Sequence, residues 1–123
     1  MKFELAPDVK KTAETVNLKL DLGLDLERVE FIRSFGSRSR AYARTLALPS
    51  QWRYILDSRK IYIVEVISEK FDRLTCEDRV YIVVHELMHI PNGMRGGLRN
   101  HSYAGFRRIR HLTRKVLSEQ ELC

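Results

Sequence analysis

His85-Glu86-Leu87-Met88-His89, preceded by the apolar run Val80-Tyr81-Ile82-Val83-Val84 and followed by Ile90-Pro91, is the stretch on which the reading of this chain turns. On an α-helix, residues four apart lie about 40° apart around the axis and about 6 Å along it, so His85 and His89 can aim both imidazoles at one ion. Glu86 would flank that ion without binding it. This is the HExxH arrangement, with two ligands for Zn²⁺ and a carboxylate placed to take a proton from the water that the ion activates. In a strand the two histidines would share a face but stand about 13 Å apart, too far for one metal. Tyr81 to Val84, aromatic and β-branched, would suit a strand, so the metal reading requires a helix.

The flanking residues supply one. Thr75 is an N-cap with Asp78 three residues on in the capping-box position, and Glu77 and Asp78 place acidic side chains in the positive first turn. Pro91 disfavours helix at Ile90 and closes the element. Apolar residues on nearly every side predict a helix buried in the core.

Two protein ligands fall short of a hydrolytic zinc site, which normally uses three and leaves the fourth position for water. The segment Pro91 to Asn100 holds Gly93, Gly96 and Gly97, must turn sharply, and delivers His101. His101 is the expected third ligand, aimed back from the first turn of a last helix that Asn100 or Ser102 can cap. That helix carries Tyr103, Phe106, Ile109, Leu112 or Thr113, and Val116 on its apolar stripe. Glu119 or Glu121, near the C-terminus, is the alternative ligand. His111, two and a half turns further along the same helix, is expected at the surface.

The remaining chain predicts a frame for this site. Val9, Ala13, Val16 and Leu20 follow Pro7-Asp8 at helical spacing, ending near Gly23. Arg28 to Phe35 and Arg40 to Leu48 read as two strands of a hairpin around Gly36-Ser37. The second puts Arg40, Tyr42, Arg44 and Leu46 on one face and Ala41, Ala43, Thr45 and Ala47 on the other, small enough to lie close beneath a helix. Trp52 is expected as a core anchor in a short helix or turn. Ile61 to Ser68 is the strongest strand signal, and Glu65, interrupting one apolar face, marks it as an edge or partly exposed strand, with a carboxylate orienting a metal ligand as the alternative. The expected fold is α+β: an N-terminal helix, a three- to four-stranded, mostly antiparallel sheet, the HExxH helix, a glycine loop and a C-terminal helix carrying the third ligand.

Composition bounds the class. At 123 residues with 44% hydrophobic content, one domain spanning 1–123 is expected. No apolar stretch approaches a membrane span and Met1 to Lys11 lacks a signal-peptide succession, so no membrane partner and a cytoplasmic location are predicted. Cys76 and Cys123 read as two isolated thiols, neither a disulfide nor a metal site. The net charge of +6 is uneven: residues 31–60 hold seven Lys/Arg against one Asp, and residues 91–123 seven against two Glu. Such blocks suit nucleic acid or another polyanion, or a solvated surface.

From Ile61 to Phe106 the chain resembles the zincin-type metallopeptidases, in particular a small phage and archaeal group built as a strand, an HELxHIP helix, a glycine-containing loop and a third histidine. His85-Glu86-Leu87-Met88-His89-Ile90-Pro91 and Gly96-Gly97-Leu98-Arg99-Asn100-His101 match that pattern as they stand. Asn100-His101-Ser102 with Phe106 is also similar to the third-ligand segment of SprT-like and related minimal zincins. The resemblance implies a minimal zincin-like fold, one Zn²⁺ per chain held by His85, His89 and His101, and Glu86 as base. Asn92 and Arg95 stand where the metzincins need Gly and His, so Met94 is not a Met-turn by analogy, and a zinc ribbon after the domain is not expected.

The expected function is zinc-dependent hydrolysis of peptide or protein substrates, with the edge of the 61–68 strand holding an extended peptide. Tyr103 and Arg99, on either side of His101, are candidate donors to the tetrahedral oxyanion, or structural residues. The alternative is a metal-stabilised nucleic-acid-binding domain without peptidase activity, using the basic blocks 31–60 and 91–123. A peptidase acting near DNA would join the two. Oligomeric state has no sequence signal.

Overall fold

The strand from Tyr62–Ile67 (β4) organises the sheet: five of its six residues are buried, and it lies between two other strands. The computed structural model describes residues 1–119 and 121–123. In it a four-stranded sheet of Lys2–Leu5 (β1), Val29–Phe35 (β2), Ala43–Ala47 (β3) and β4 has the order β1-β2-β4-β3. β1 pairs antiparallel with β2, β2 parallel with β4, and β3 antiparallel with β4.

This order corrects three expectations. The hairpin anticipated around Gly36-Ser37 does not form, since β4 lies between β2 and β3. Val64, Val66 and Ile67 are at most 1% exposed there, a burial that an edge position could not provide. The 61–68 strand is therefore interior, and Glu65, 2% exposed, is held by Arg44 rather than by solvent. The sheet edge beside the histidine helix is β3. β1 had no signal, because all four of its residues are exposed and only backbone pairing with β2 defines it.

Helices cover one face. Pro7–Lys19 (α1) starts on the anticipated proline and buries Val9, Ala13 and Val16. Cys76–Met88 (α4) packs against α1, β3 and the last helix, Ile109–Glu119 (α5). Ser50–Leu56 (α2) buries none of its residues, and Trp52, 58% exposed, is no core anchor: α2 leaves the sheet edge after β3, where no layer of the described residues covers it. Ser68–Phe71 (α3) is a single turn after β4 that buries Phe71.

Cys76 and Cys123 form a disulfide across a sequence separation of 47, which corrects the expectation of two isolated thiols. α5 runs back along α4, so the last residue reaches the first turn of the helix that bears the histidines. Among the described residues no helix is long and apolar enough to cross a membrane.

Candidate metal centre

α4 begins as its caps require. Thr75 lies in the extended region and its Oγ1 accepts from the Asp78 N–H at 3.2 Å, while Glu77 and Asp78 occupy the first turn. Val80, Val83, Val84, Leu87 and Met88 are buried, which turns His85 and His89 to the half-exposed side and leaves Glu86 inward. The helix stops at Met88 with His89 as its C-cap, two residues before Pro91.

The glycine loop then doubles back. Gly93 and Gly96 both have φ of 76°, a left-handed conformation that glycine adopts without strain, and the Tyr62 hydroxyl donates to the Gly96 carbonyl at 3.3 Å. Arg99 is tied twice to the helix end: its N–H donates to the His89 carbonyl and its carbonyl accepts from His89 Nδ1–H, each at 2.7 Å. Because a carbonyl only accepts, the second bond places the His89 proton on Nδ1 and leaves the Nε2 lone pair free.

The turn after Arg99 carries His101. Its Nε2 lies 3.2 Å from Nε2 of His85, and the ligand atoms of His85, His89 and His101 all lie within 4.8 Å of one another. His101 precedes the last helix rather than starting it, because a turn and a 3₁₀ segment, Ala104–Arg108, intervene before α5. Phe106, from that segment, sits 4.7–5.1 Å from the centroids of all three imidazoles. It does not line the cavity that the three histidines face, so it backs them.

Glu86 is 5% exposed, and its Oε2 is 4.0 Å from His85 Nε2. Its Oε1 accepts a 2.9 Å hydrogen bond from the hydroxyl of Thr45, which also lies 3.1 Å from the Glu86 carbonyl. Burial pushes the Glu86 carboxyl up to about 6 against the opposing pull of the Thr45 hydrogen bond. Burial, then the neighbouring His89 and His101, push His85 down to about 4, which keeps its imidazole neutral and its lone pair available.

A cavity of about 800 Å³ opens between β3, α4 and the loop at 98–101. The Ile67 N–H donates to the Tyr42 carbonyl and the Leu48 N–H to the Ile61 carbonyl, both at 2.9 Å. Alternate residues of β3 thus turn their backbone to β4, and the N–H and C=O groups of Ala43, Thr45 and Ala47 point to the unpaired edge. The small-residue face lies under α4, as its composition predicts.

Of the residues singled out in the sequence, the structure brings together His85, Glu86, His89 and His101, with Arg99 lining the same cavity. Tyr103 lies outside it, its ring stacked 4.0 Å from the Arg99 guanidinium. Glu119 is not part of the cluster, and His111 is exposed on α5. Thr45 was missed as a partner of Glu86. Its signal was present, as the one polar side chain on the Ala41-Ala43-Thr45-Ala47 face. The Arg99 carbonyl gave none, because a backbone acceptor has no sequence signature.

Three converging imidazoles, one with its tautomer set by a carbonyl, make a donor set that fits a divalent ion of the zinc type. No curated protein and no solved structure matches the chain. The chain does match the sequence model of a family described as "Putative phage metallopeptidase" over residues 1–120. With the family covering nearly its whole length, the chain belongs to the phage metallopeptidase family.

Proposed function

We propose that this protein is a zinc-dependent peptidase whose chemistry is carried within one domain, residues 1–123, by His85, His89, His101 and Glu86. The supporting observation is the convergence of three imidazole ligand atoms within 4.8 Å beside a buried carboxylate that, among the described residues, has a hydroxyl rather than a Lys or Arg for a partner. His85, His89 and His101 would hold the ion. When bound, Zn²⁺ polarises the scissile carbonyl and acidifies the attacking water.

The other roles belong to the chain. An extended peptide pairs through its backbone with the outward groups of Ala43 and Thr45, which lays the scissile bond across the cavity next to Glu86. Glu86 takes the proton of the attacking water and delivers it to the leaving amine, and burial keeps its carboxyl basic enough for both transfers. Thr45 holds that carboxylate by one oxygen and leaves the other toward His85. The Arg99 guanidinium, steadied by the Tyr103 ring, donates to the developing oxyanion. Phe106 and the Arg99 carbonyl orient the imidazoles.

The test pairs metal content with turnover on an unfolded protein substrate. His101→Ala should lose the ion and the activity, whereas Glu86→Gln should keep the ion and lose the activity. Full activity in Glu86→Gln would remove Glu86 as the base, whereas a metal-loaded wild type without turnover would make a metal-stabilised binding domain the better account of the site.

A further inference from the structure

The two basic blocks differ in how their charges are used. In residues 31–60, Arg33, Arg44 and Lys60 are held in ion pairs, with Asp8 and Asp72, with Glu65 and with Glu30, while Arg38, Arg40, Arg53 and Arg59 form none among the described residues. In residues 91–123, none of Arg95, Arg99, Arg107, Arg108, Arg110, Arg114 and Lys115 forms an ion pair among the described residues. Arg110 and Arg114 share a shallow cavity with Glu77 and Asp78 without closing on them.

Arg107, Arg108, Arg110, His111, Arg114 and Lys115 are all exposed, on α5 and the turn before it. On α5, at about 100° per residue, Arg110, His111, Arg114 and Lys115 fill an arc of about 140°, and Arg107 and Arg108 add to its start from the 3₁₀ segment. The opposite arc buries Ile109, Thr113 and Val116 against α4 and α1.

We infer that this cationic face of α5 is a binding surface for the phosphate backbone of double-stranded nucleic acid, made without reading bases. The rise from 107 to 115 is about 12 Å, along which a duplex presents about seven phosphates, so five fixed cations meet a matching density of charge. Four of the five are Arg, whose planar fork suits phosphate oxygens. An anionic membrane fits less well, because an interfacial helix must insert its apolar face and α5 has committed its own to the core. The surface is independent of the peptidase reading, although α5 lies against α4 and would bring proteins on the same nucleic acid close to the groove.

The experiment measures binding of the intact, zinc-loaded protein to a fluorescein-labelled mixed-sequence DNA duplex by anisotropy across a salt series. With four to five phosphate contacts, affinity should fall by about two to three orders of magnitude between about 50 and about 200 mM salt, a log–log slope near −4. Arg110→Gln with Arg114→Gln should weaken binding at least about tenfold and flatten the slope by about two. Arg107→Gln with Lys115→Gln should repeat that effect should the first pair perturb folding, and Arg38→Gln with Arg40→Gln should leave binding unchanged. Undetectable binding at low salt, a slope that neither α5 pair alters, or binding to phosphatidylglycerol vesicles without binding to DNA would each overturn the inference.

Discussion

Among the described residues two carboxylates are buried, and adjacent residues of β3 touch both from opposite faces of the sheet. Arg44 reaches Glu65 through Nε at 3.1 Å, so that carboxylate has a permanent cation. Thr45, the next residue, offers Glu86 only a hydroxyl at 2.9 Å, and burial pushes the Glu86 carboxyl up to about 6. A compensated buried charge is structural, because removing either partner strands the other. A carboxylate buried beside three imidazoles without a cation is left able to exchange a proton. The same strand therefore separates a charge that holds the sheet from one that can do chemistry.

The comparison is broken most directly at Glu86. Glu86→Gln should lower kcat by about 10²–10⁴, the usual contribution of general acid–base catalysis, with the metal content unchanged by elemental analysis. Activity at the wild-type level would put Glu86 in the same structural class as Glu65.

The converse test is Arg44→Ala, which strands Glu65. Urea unfolding should show a loss of about 2–3 kcal/mol, below the 3–5 kcal/mol of a fully buried pair because Arg44 is 43% exposed and water can enter. Because Arg44 also lines the cavity between Ala43 and Thr45, turnover per folded molecule should fall, but far less than in Glu86→Gln. Arg44→Met combined with Glu65→Leu should recover most of the stability, since apolar replacement of both partners removes the stranded charge.

Thr45→Val sharpens the distinction. It removes one hydrogen bond to Glu86 and keeps the shape, so kcat should fall by about tenfold, about 1.4 kcal/mol, with KM little changed. A loss confined to KM would make the Thr45 side chain, like its backbone, a substrate contact rather than a positioning group.

The smallest effect belongs to an exposed carboxylate that also has a guanidinium. Asp8 accepts two 2.9 Å hydrogen bonds from Arg33, which hold its carboxyl below the ordinary 3.8. A lowered carboxyl contributes stability above its unfolded value and loses it as pH falls through the folded one. Asp8→Asn should therefore cost at most about 1 kcal/mol at neutral pH, because the side chain is 59% exposed. Thermal melts of variant and wild type should converge as pH falls below the ordinary carboxylate range and through the lowered folded value of Asp8.

The elements that carry the candidate site were largely legible. Thr75, Asp78 and Pro91 bounded α4, and the helical period put His85 and His89 together. Three glycines marked the reversal that returns His101, and alternation placed small residues of β3 under the helix. Each rests on local backbone preference or on a period within one element. The frame was harder. Glu65 suggested a partly exposed strand because a sequence does not show that Arg44 lies opposite it. Trp52 looked like a core residue because its size is visible and its lack of a covering layer is not.

By itself, then, the sequence determined the histidine helix, the turn that follows it, the α1 stripe and a basic block near the C-terminus. Only the tertiary structure decided that β4 separates β2 from β3, that β3 rather than β4 is the open edge, that Cys123 bonds to Cys76, and that Thr45 and the Arg99 carbonyl bear on the site. Helical spacing and capping act over a few residues of one backbone. Strand partners and cross-links depend on which apolar surfaces win the interior, and that competition runs over the whole chain.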